Sequence, residues 1–269
     1  MNVVRRARTS VRRRIAERAI RRFEARFGSE TGGYWYFDDH GIDSQDLVWY
    51  DPSDPTATLR ALRRVRPTTN DVLIDIGSGK GRGLLVAGQL TFGRIIGLEL
   101  VPELATVAEQ VVATHRDQLR CKDFVFVASD ALGYELPTDV SVVYMYCPFV
   151  GDVFRRFIHR LMDHADHAGH DVHLVYNYPF HHCDLIATGR FEVVDVVSAM
   201  WPPASLALAE VIVTHRVLRA GEQPSARRPR RLRNQYAARW AGPYDPGFVV
   251  ERGPDDVRYH SPGWPVPTH

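Results

Sequence analysis

Two runs of this chain, "VLIDI" at 72–76 and "VSVVYMY" at 140–146, contain almost no polar side chain. A strand with one wet face alternates apolar and polar residues. A run that is apolar at nearly every position is covered on both faces, the condition of parallel strands inside an α/β sheet. From Asp71 to about Leu218 the pattern switches repeatedly between strand and helix. Strands are predicted at 71–76, 94–99, 123–128, 140–146, 171–177, 191–197 and 208–217, and helices at about 80–90, 102–116, 150–164 and 182–188. Such alternation gives an α/β fold, a doubly wound seven-stranded Rossmann-like sheet with helices on both faces.

Four segments are expected: a basic amphipathic helix at 1–28, a cap and lead-in helix at 29–66, the α/β core at 67–219 and an irregular Arg/Pro-rich extension at 220–269. In the first, Val3, Ala7, Val11, Ile15, Ala19, Phe23 and Phe27 recur every fourth residue. That spacing makes a broad stripe that drifts about 40° per step around a helix. In the second, "TGGYWYFDD" is dense in Gly, Asp and aromatics, and Asp54 and Pro55 are placed to cap and open a short helix ending near Val65. The extension holds eight of the 17 prolines and an Arg cluster at 227–233.

The net charge of +2 conceals an uneven distribution. Residues 1–27 carry ten Arg against two Glu, residues 28–219 carry 16 basic and 25 acidic side chains, and residues 220–269 carry eight basic and five acidic. An acidic body therefore has two basic arms. The arms could lie on nucleic acid or anionic lipid, or the first could be a transit peptide. They could equally pack on the acidic body of their own chain or of a dimer partner, and the opposite charges favour this. Cys121, Cys147 and Cys183 are too few and too scattered for a disulfide framework or an iron–sulfur site. With no secretory segment and no apolar run of membrane-spanning length, a cytoplasmic protein is expected.

The first buried strand runs into "DIGSGKGRG", 75–83. A phosphate-binding P-loop fails here, because Gly81 follows Lys80 where Ser or Thr is needed and Ile74 replaces the leading glycine. The dinucleotide fingerprint fits Gly77 and Gly79 but meets Arg82 in place of its third glycine. The pattern D-x-G-x-G-x-G fits at Asp75, Gly77, Gly79 and Gly81.

With that loop the chain resembles the class I S-adenosylmethionine-dependent methyltransferases, over roughly residues 50–217. The resemblance implies S-adenosyl-L-methionine as cofactor, with its amino-acid part wrapped by Gly77, Ser78, Gly79 and Gly81 and its ammonium held by Asp75. It implies that Glu99, ending "RIIGLE" 18 residues past Gly81, takes both ribose hydroxyls. Asp130 in "VFVASDAL" would face the adenine amino group, with Ala131 beside the ring. Tyr50 falls where relatives bring an N-terminal segment over the cofactor, and Tyr146 ends the fourth strand beside it.

The cofactor carries its own leaving group, so the protein has mainly to position and desolvate the reactants. A nitrogen acceptor must arrive neutral, which asks for a base or a dry acidic pocket. Many amino-methylating relatives have Asn, Asp or Ser, then Pro-Pro-aromatic, after the fourth strand. Here "YCPF" lacks that first amide or carboxylate, which argues against nucleobase or glutamine acceptors. It is similar to the looser Asn-Pro-Phe turn of small bacterial and of lysine-methylating relatives, with Cys147 where the Asn would be. Phe149 is then an acceptor wall or a core residue. "VYNYPFHHCD" offers Asn177, His181 and His182 as a second catalytic wall at the carboxyl edge of the sheet. The aromatics Tyr34, Trp35, Tyr36 and Phe37 could close over an acceptor or pack as a satellite core. His164, His167, His170 and His173 share no helical face once Gly169 intervenes, so no metal site is expected.

Two functions stay open on the sequence. One is methyl transfer to nitrogen or oxygen of a small molecule or protein side chain. The other is RNA binding or RNA methylation through the basic arms.

Overall fold

The computed structural model describes residues 17–42, 46–198, 211–225, 249–252 and 257–260. Helix α1 covers 17–27. It is followed by a single 3-10 turn, Phe37–His40, and by α2, Pro55–Val65. The body then reads β1 (Val72–Ile76), α3 (Arg82–Ala87), β2 (Arg94–Glu99), α4 (Pro102–His115), β3 (Phe124–Ala128), β4 (Val140–Tyr146), α5 (Gly151–His167), β5 (Val172–Asn177), α6 (His182–Ala187), β6 (Phe191–Ser198) and β7 (Val211–Val217). These seven strands form one sheet in the order β3-β2-β1-β4-β5-β7-β6. All pairings are parallel except those of β7, which runs antiparallel between β5 and β6.

Strand order reverses at β1, whose neighbours are β2 and β4. The carboxyl ends of strands around such a reversal are where doubly wound sheets bind ligands. The apolar runs do what their composition demands: every residue of β1 is buried, and β4 is buried up to Tyr146. Side chains of successive residues enter different cores. Leu73, Val142 and Tyr144 meet Ala61 and Leu62 of α2, Leu84 and Leu85 of α3 and Ala108 of α4. Ile74, Ile76, Val143 and Met145 meet Phe154, Phe157 and Leu161 of α5 and Leu185 of α6.

The helix α1 joins the first of these cores through Phe23 and Phe27, whose rings lie 5.0 Å apart. Its Glu24 pairs at 3.3 Å with the buried guanidinium of Arg82, which also lies over the Phe23 ring. The described part of the first basic arm thus packs on its own chain along the predicted stripe; residues 1–16 lie outside the described residues.

Three differences from the sequence expectations stand out. Helix α3 begins at Arg82 rather than near residue 80, because Gly79 and Gly81 sit at positive φ. Helix α5 continues to His167, one residue pair short of Gly169 at φ 70°. The extension is not wholly irregular: β8 (Val249–Arg252) and β9 (Val257–His260) form an antiparallel pair.

Asp54 caps α2 as expected, its carboxylate accepting from the amides of Thr56 at 2.8 Å and Ala57 at 3.1 Å. Asp54→Ala is expected to cost about 1 kcal/mol of stability, measurable by denaturant unfolding.

Candidate functional site

A cleft of ≈ 890 Å³, measured out to its open mouth, lies over the carboxyl ends of β1, β2 and β4 and the residues after β3. Its floor is the loop after β1. Gly77 has φ 72°, and a β-carbon there would come within 2.5 Å of the Pro148 side chain. Gly79, at φ 53°, lies directly under the ring of Tyr50 and leaves no room for a side chain. Both positions combine positive φ with close approach, which glycine alone accommodates.

Carboxylates stand at the ends of successive strands. Asp75 and Glu99 are buried, and Asp130 is exposed just past β3. All three line the cleft, as do Gly77, Ser78, Ala131, Tyr50, Tyr146 and Phe149. Glu99 accepts from the Gly79 amide at 2.7 Å and the Val101 amide at 3.0 Å, one bond to each carboxylate oxygen. The Leu100 amide also acts on this carboxylate, which with about four lone-pair sites can still accept from a ligand hydroxyl. Burial raises the pKa of Glu99 although these amides act against it. Burial, then the charge of Glu99, pushes Asp75 well above the usual carboxylate range. The Asp130 carboxylate accepts from the Leu132 amide at 2.9 Å. Apolar side chains of Phe37, Leu100 and Leu104 complete this end of the cleft.

Two loop glycines of the motif face away from the cleft. Gly79 offers its amide to Glu99 and its α-carbon to Tyr50, and Gly81 caps α3 against Ala108 of α4. They shape the loop rather than line the cleft.

A strap formed by residues 46–51 crosses the mouth. At one end Leu47 bridges to Phe149, and the Val48 amide donates to the Pro148 carbonyl at 3.0 Å. At the other Tyr50 and Trp35 exchange backbone hydrogen bonds at 2.9 and 3.1 Å. The Tyr50 hydroxyl donates to the Thr31 carbonyl at 2.6 Å, and burial raises its pKa. The strap also carries Asp51 into the cleft, where it accepts from the Tyr146 hydroxyl at 3.2 Å. Burial lifts Asp51 to about 6 against the opposing effects of the Tyr146 hydrogen bond and the Arg82 charge. Sequence reasoning missed Asp51. The only hint was its place directly after Tyr50, and an aspartate beside Pro52 reads as an ordinary turn residue.

The predicted second wall is not at the cleft. Asn177 is fully buried and donates to the Tyr144 hydroxyl at 3.3 Å, on the core side of that ring. His181 is fully buried, stacked on Phe154 at 4.2 Å. Its Nδ1 donates to Asp184 at 2.7 Å, and its Nε2 accepts from the Gly151 amide, which fixes a neutral tautomer at the start of α5. Burial lowers its pKa despite Asp184. His182 faces the fully buried His215 at 3.1 Å, and burial lowers the pKa of both. None of the three lines the cleft. The reason is geometric: the turn at Tyr178, φ 56°, folds the chain after β5 back into the α5–α6 core.

Cys147, in the turn after β4, has φ 39°, a region that Asn adopts more readily than Cys. Its thiol is buried, and burial pushes it up to about 12 against the opposing hydrogen bond of Tyr176. Phe149 lines the cleft and packs edge-on against Phe157 at 5.4 Å. Of the histidine run, His164, His167 and His170 each donate to a separate backbone carbonyl, those of Val140, Asp163 and Thr138. Among the described residues no cluster of three His, Cys, Asp or Glu side chains is gathered as for a metal.

No protein-family model matches the chain, and no curated protein matches it. Among solved structures, the chain is similar to an RNA methyltransferase from Salinibacter ruber in complex with S-adenosyl-L-homocysteine (19% identity, 65% of this chain and 97% of that one, TM-score 0.48). It is also similar to a tRNA methyltransferase from Aquifex aeolicus (15%, 66% and 73%, 0.47) and to a Haemonchus contortus phosphoethanolamine N-methyltransferase in complex with phosphoethanolamine and S-adenosylhomocysteine (15%, 64% and 44%, 0.46). The substrates named for these proteins differ in kind. In fold, the chain is a doubly wound, seven-stranded α/β protein with a glycine loop and two buried carboxylates at its switch point.

Proposed function

We propose that the chain is an S-adenosylmethionine-dependent methyltransferase acting on a nitrogen or oxygen of a small molecule or protein side chain. One observation carries the reading: Asp75, Glu99 and Asp130 stand at or just past the carboxyl ends of three adjacent strands and line one cleft above a glycine loop. The residues present fit the cofactor. Asp75 would hold its ammonium, Glu99 its ribose hydroxyls, and Asp130 with Ala131 its adenine, while Leu100, Leu104 and Phe37 supply apolar cover. The bound cofactor supplies an electrophilic methyl and a thioether leaving group; the chain positions the acceptor and excludes water. Packing of α1 on the body supports a structural role for the first basic arm over RNA binding. Among the described residues no helix is long and apolar enough to cross a membrane. Free thiols at Cys121, Cys147 and Cys183 support a reducing compartment, the cytoplasm.

Thermal shift tests the reading. S-adenosylmethionine and S-adenosylhomocysteine should stabilise the protein, by about 2.7 kcal/mol at a hundred times the dissociation constant, and NAD and ATP should not. Stabilisation by NAD alone would overturn it.

The same measurement has an expected pH dependence. Asp51, Asp75 and Glu99 all bind protons more tightly when folded, chiefly through burial. At these three carboxylates the folded state holds more protons than the unfolded one above about pH 4. Their contribution to the stability of the free protein falls as pH rises through that window, while His173, His181, His182 and His215, whose pKa burial lowers, contribute in the opposite sense. A cation at Asp75 offsets the buried charge. The shift produced by S-adenosylmethionine is thus expected to be larger at pH 8 than at pH 5. Equal shifts would place the ammonium elsewhere.

A further inference from the structure

The cleft holds one carboxylate more than the cofactor uses. Asp75, Glu99 and Asp130 are assigned above; Asp51 is not, and it lines the same cleft. The cleft's own cation, Arg82, is already engaged by Glu24 at 3.3 Å and by the Thr31 hydroxyl at 3.2 Å. The fourth carboxylate therefore gives the acceptor end a net negative charge. Asp51 is paired with Tyr146, which ends β4 two residues beyond Tyr144, the register partner of Asp75. Tyr146 and Tyr144 point to the same side of the strand as Asp75, so Asp51 sits beyond the cofactor's amino-acid end. The rings of Trp49, Tyr50, Tyr146 and Phe149 line the same cleft. Aromatic faces beside a carboxylate suit a cation that must shed its charge.

We propose, resting on the methyltransferase reading, that the acceptor is an aliphatic amine and that Asp51, oriented by Tyr146, takes its proton. The ammonium gives one proton to the Asp51 carboxylate. The freed nitrogen lone pair forms the N–C bond to the methyl as the C–S bond breaks, and the sulfur keeps that electron pair as a neutral thioether. The product is a methylammonium, and Asp51 returns its proton to solvent. The groups facing Asp51 are the Tyr146 hydroxyl from β4, Arg82 from α3, and Tyr34 and Tyr50 from the cap and strap. Burial leaves Asp51 half ionised at about pH 6, with Tyr146 and Arg82 holding it from rising further. It is thus a carboxylate at neutral pH yet basic enough to accept a proton.

The test uses the full chain, labelled S-adenosylmethionine, and three acceptors: n-butylamine, Nα-acetyl-lysinamide and n-butanol. S-adenosylhomocysteine affinity is measured in parallel by calorimetry. Methylation of at least one amine and not of butanol is expected. The better amine tells a free amine from a protein side chain. The rate should fall as pH drops through about 6. Asp51→Asn keeps the shape and an acceptor for Tyr146, so S-adenosylhomocysteine should bind nearly as before. The same variant should lower the rate at pH 7.5 by about 10²- to 10⁴-fold. Its deficit should narrow towards pH 10, where the amine loses its proton to water. Tyr146→Phe should shift the acid limb to higher pH, a result that simple misfolding does not produce. An Asp51→Asn enzyme as fast as the parent, equal transfer to butanol, or methylation of neither amine would overturn the proposal. So would loss of S-adenosylhomocysteine binding in Asp51→Asn, which would make Asp51 a cofactor residue. If the parent protein does not bind S-adenosylhomocysteine, the methyltransferase reading itself fails.

Discussion

Glu99→Gln is expected to weaken S-adenosylmethionine binding by ~1.5–3 kcal/mol, on the order of 10- to 150-fold. The structure gives this substitution two routes to that loss. The Glu99 carboxylate accepts the Gly79 amide on one oxygen and the Val101 amide on the other. Glutamine offers one oxygen and an NH₂ group, so one of these amides would face a donor. One of the two bonds, to the glycine loop or to the start of α4, is lost, together with the charge that strengthens bonds to the ribose. Calorimetry and melting together separate the two routes. An affinity equal to that of the parent would remove Glu99 from the ribose, whatever the melting curve shows.

Phe149→Ala is expected to lower stability by about 3–5 kcal/mol and, in the protein that remains folded, to cut methyl transfer strongly with little change in cofactor affinity. The ring packs on Phe157, its backbone bridges to Leu47, and it lines the cleft that Asp51 also lines. Removing it opens a void in the α5 core and widens the acceptor end. A fall confined to KM would mark uniform acceptor binding; a fall in kcat would mark positioning in the transition state. A stable, fully active variant would show that Phe149 neither packs nor positions.

The fold was legible because its signals are local. Uninterrupted apolar runs demand two-sided cover, and β1 and β4 lie at the centre of the sheet accordingly. The carboxylates of the cleft were legible for the same reason: a carboxylate near the end of a strand is carried to the sheet edge with it, as Asp75 and Glu99 are. The rest of the cleft is set by long-range contacts that no local pattern encodes. His181 follows a strand end just as Asp130 does, but the turn at Tyr178 sends it into the core, where Asp184 and the Gly151 amide hold it. Asp51 reads as a turn residue until the strap between Phe149 and Trp35 delivers it to Tyr146. The basic arm was readable only as a set of alternatives, and in the described part of α1 its apolar face, Phe23 and Phe27, is buried against the chain's own body.

The glycine loop is held by protein on two sides before any ligand arrives: Gly77 lies against Pro148 of the turn after β4, and Gly79 lies under the ring of Tyr50. Glu99 fixes the Gly79 amide from below. The loop is therefore preorganised. Ordering a free loop residue removes about 1–2 kcal/mol of backbone entropy, and here that loss falls on folding and not on association. A ligand meets a floor already shaped, so its affinity reports contact and charge without deduction for ordering the loop.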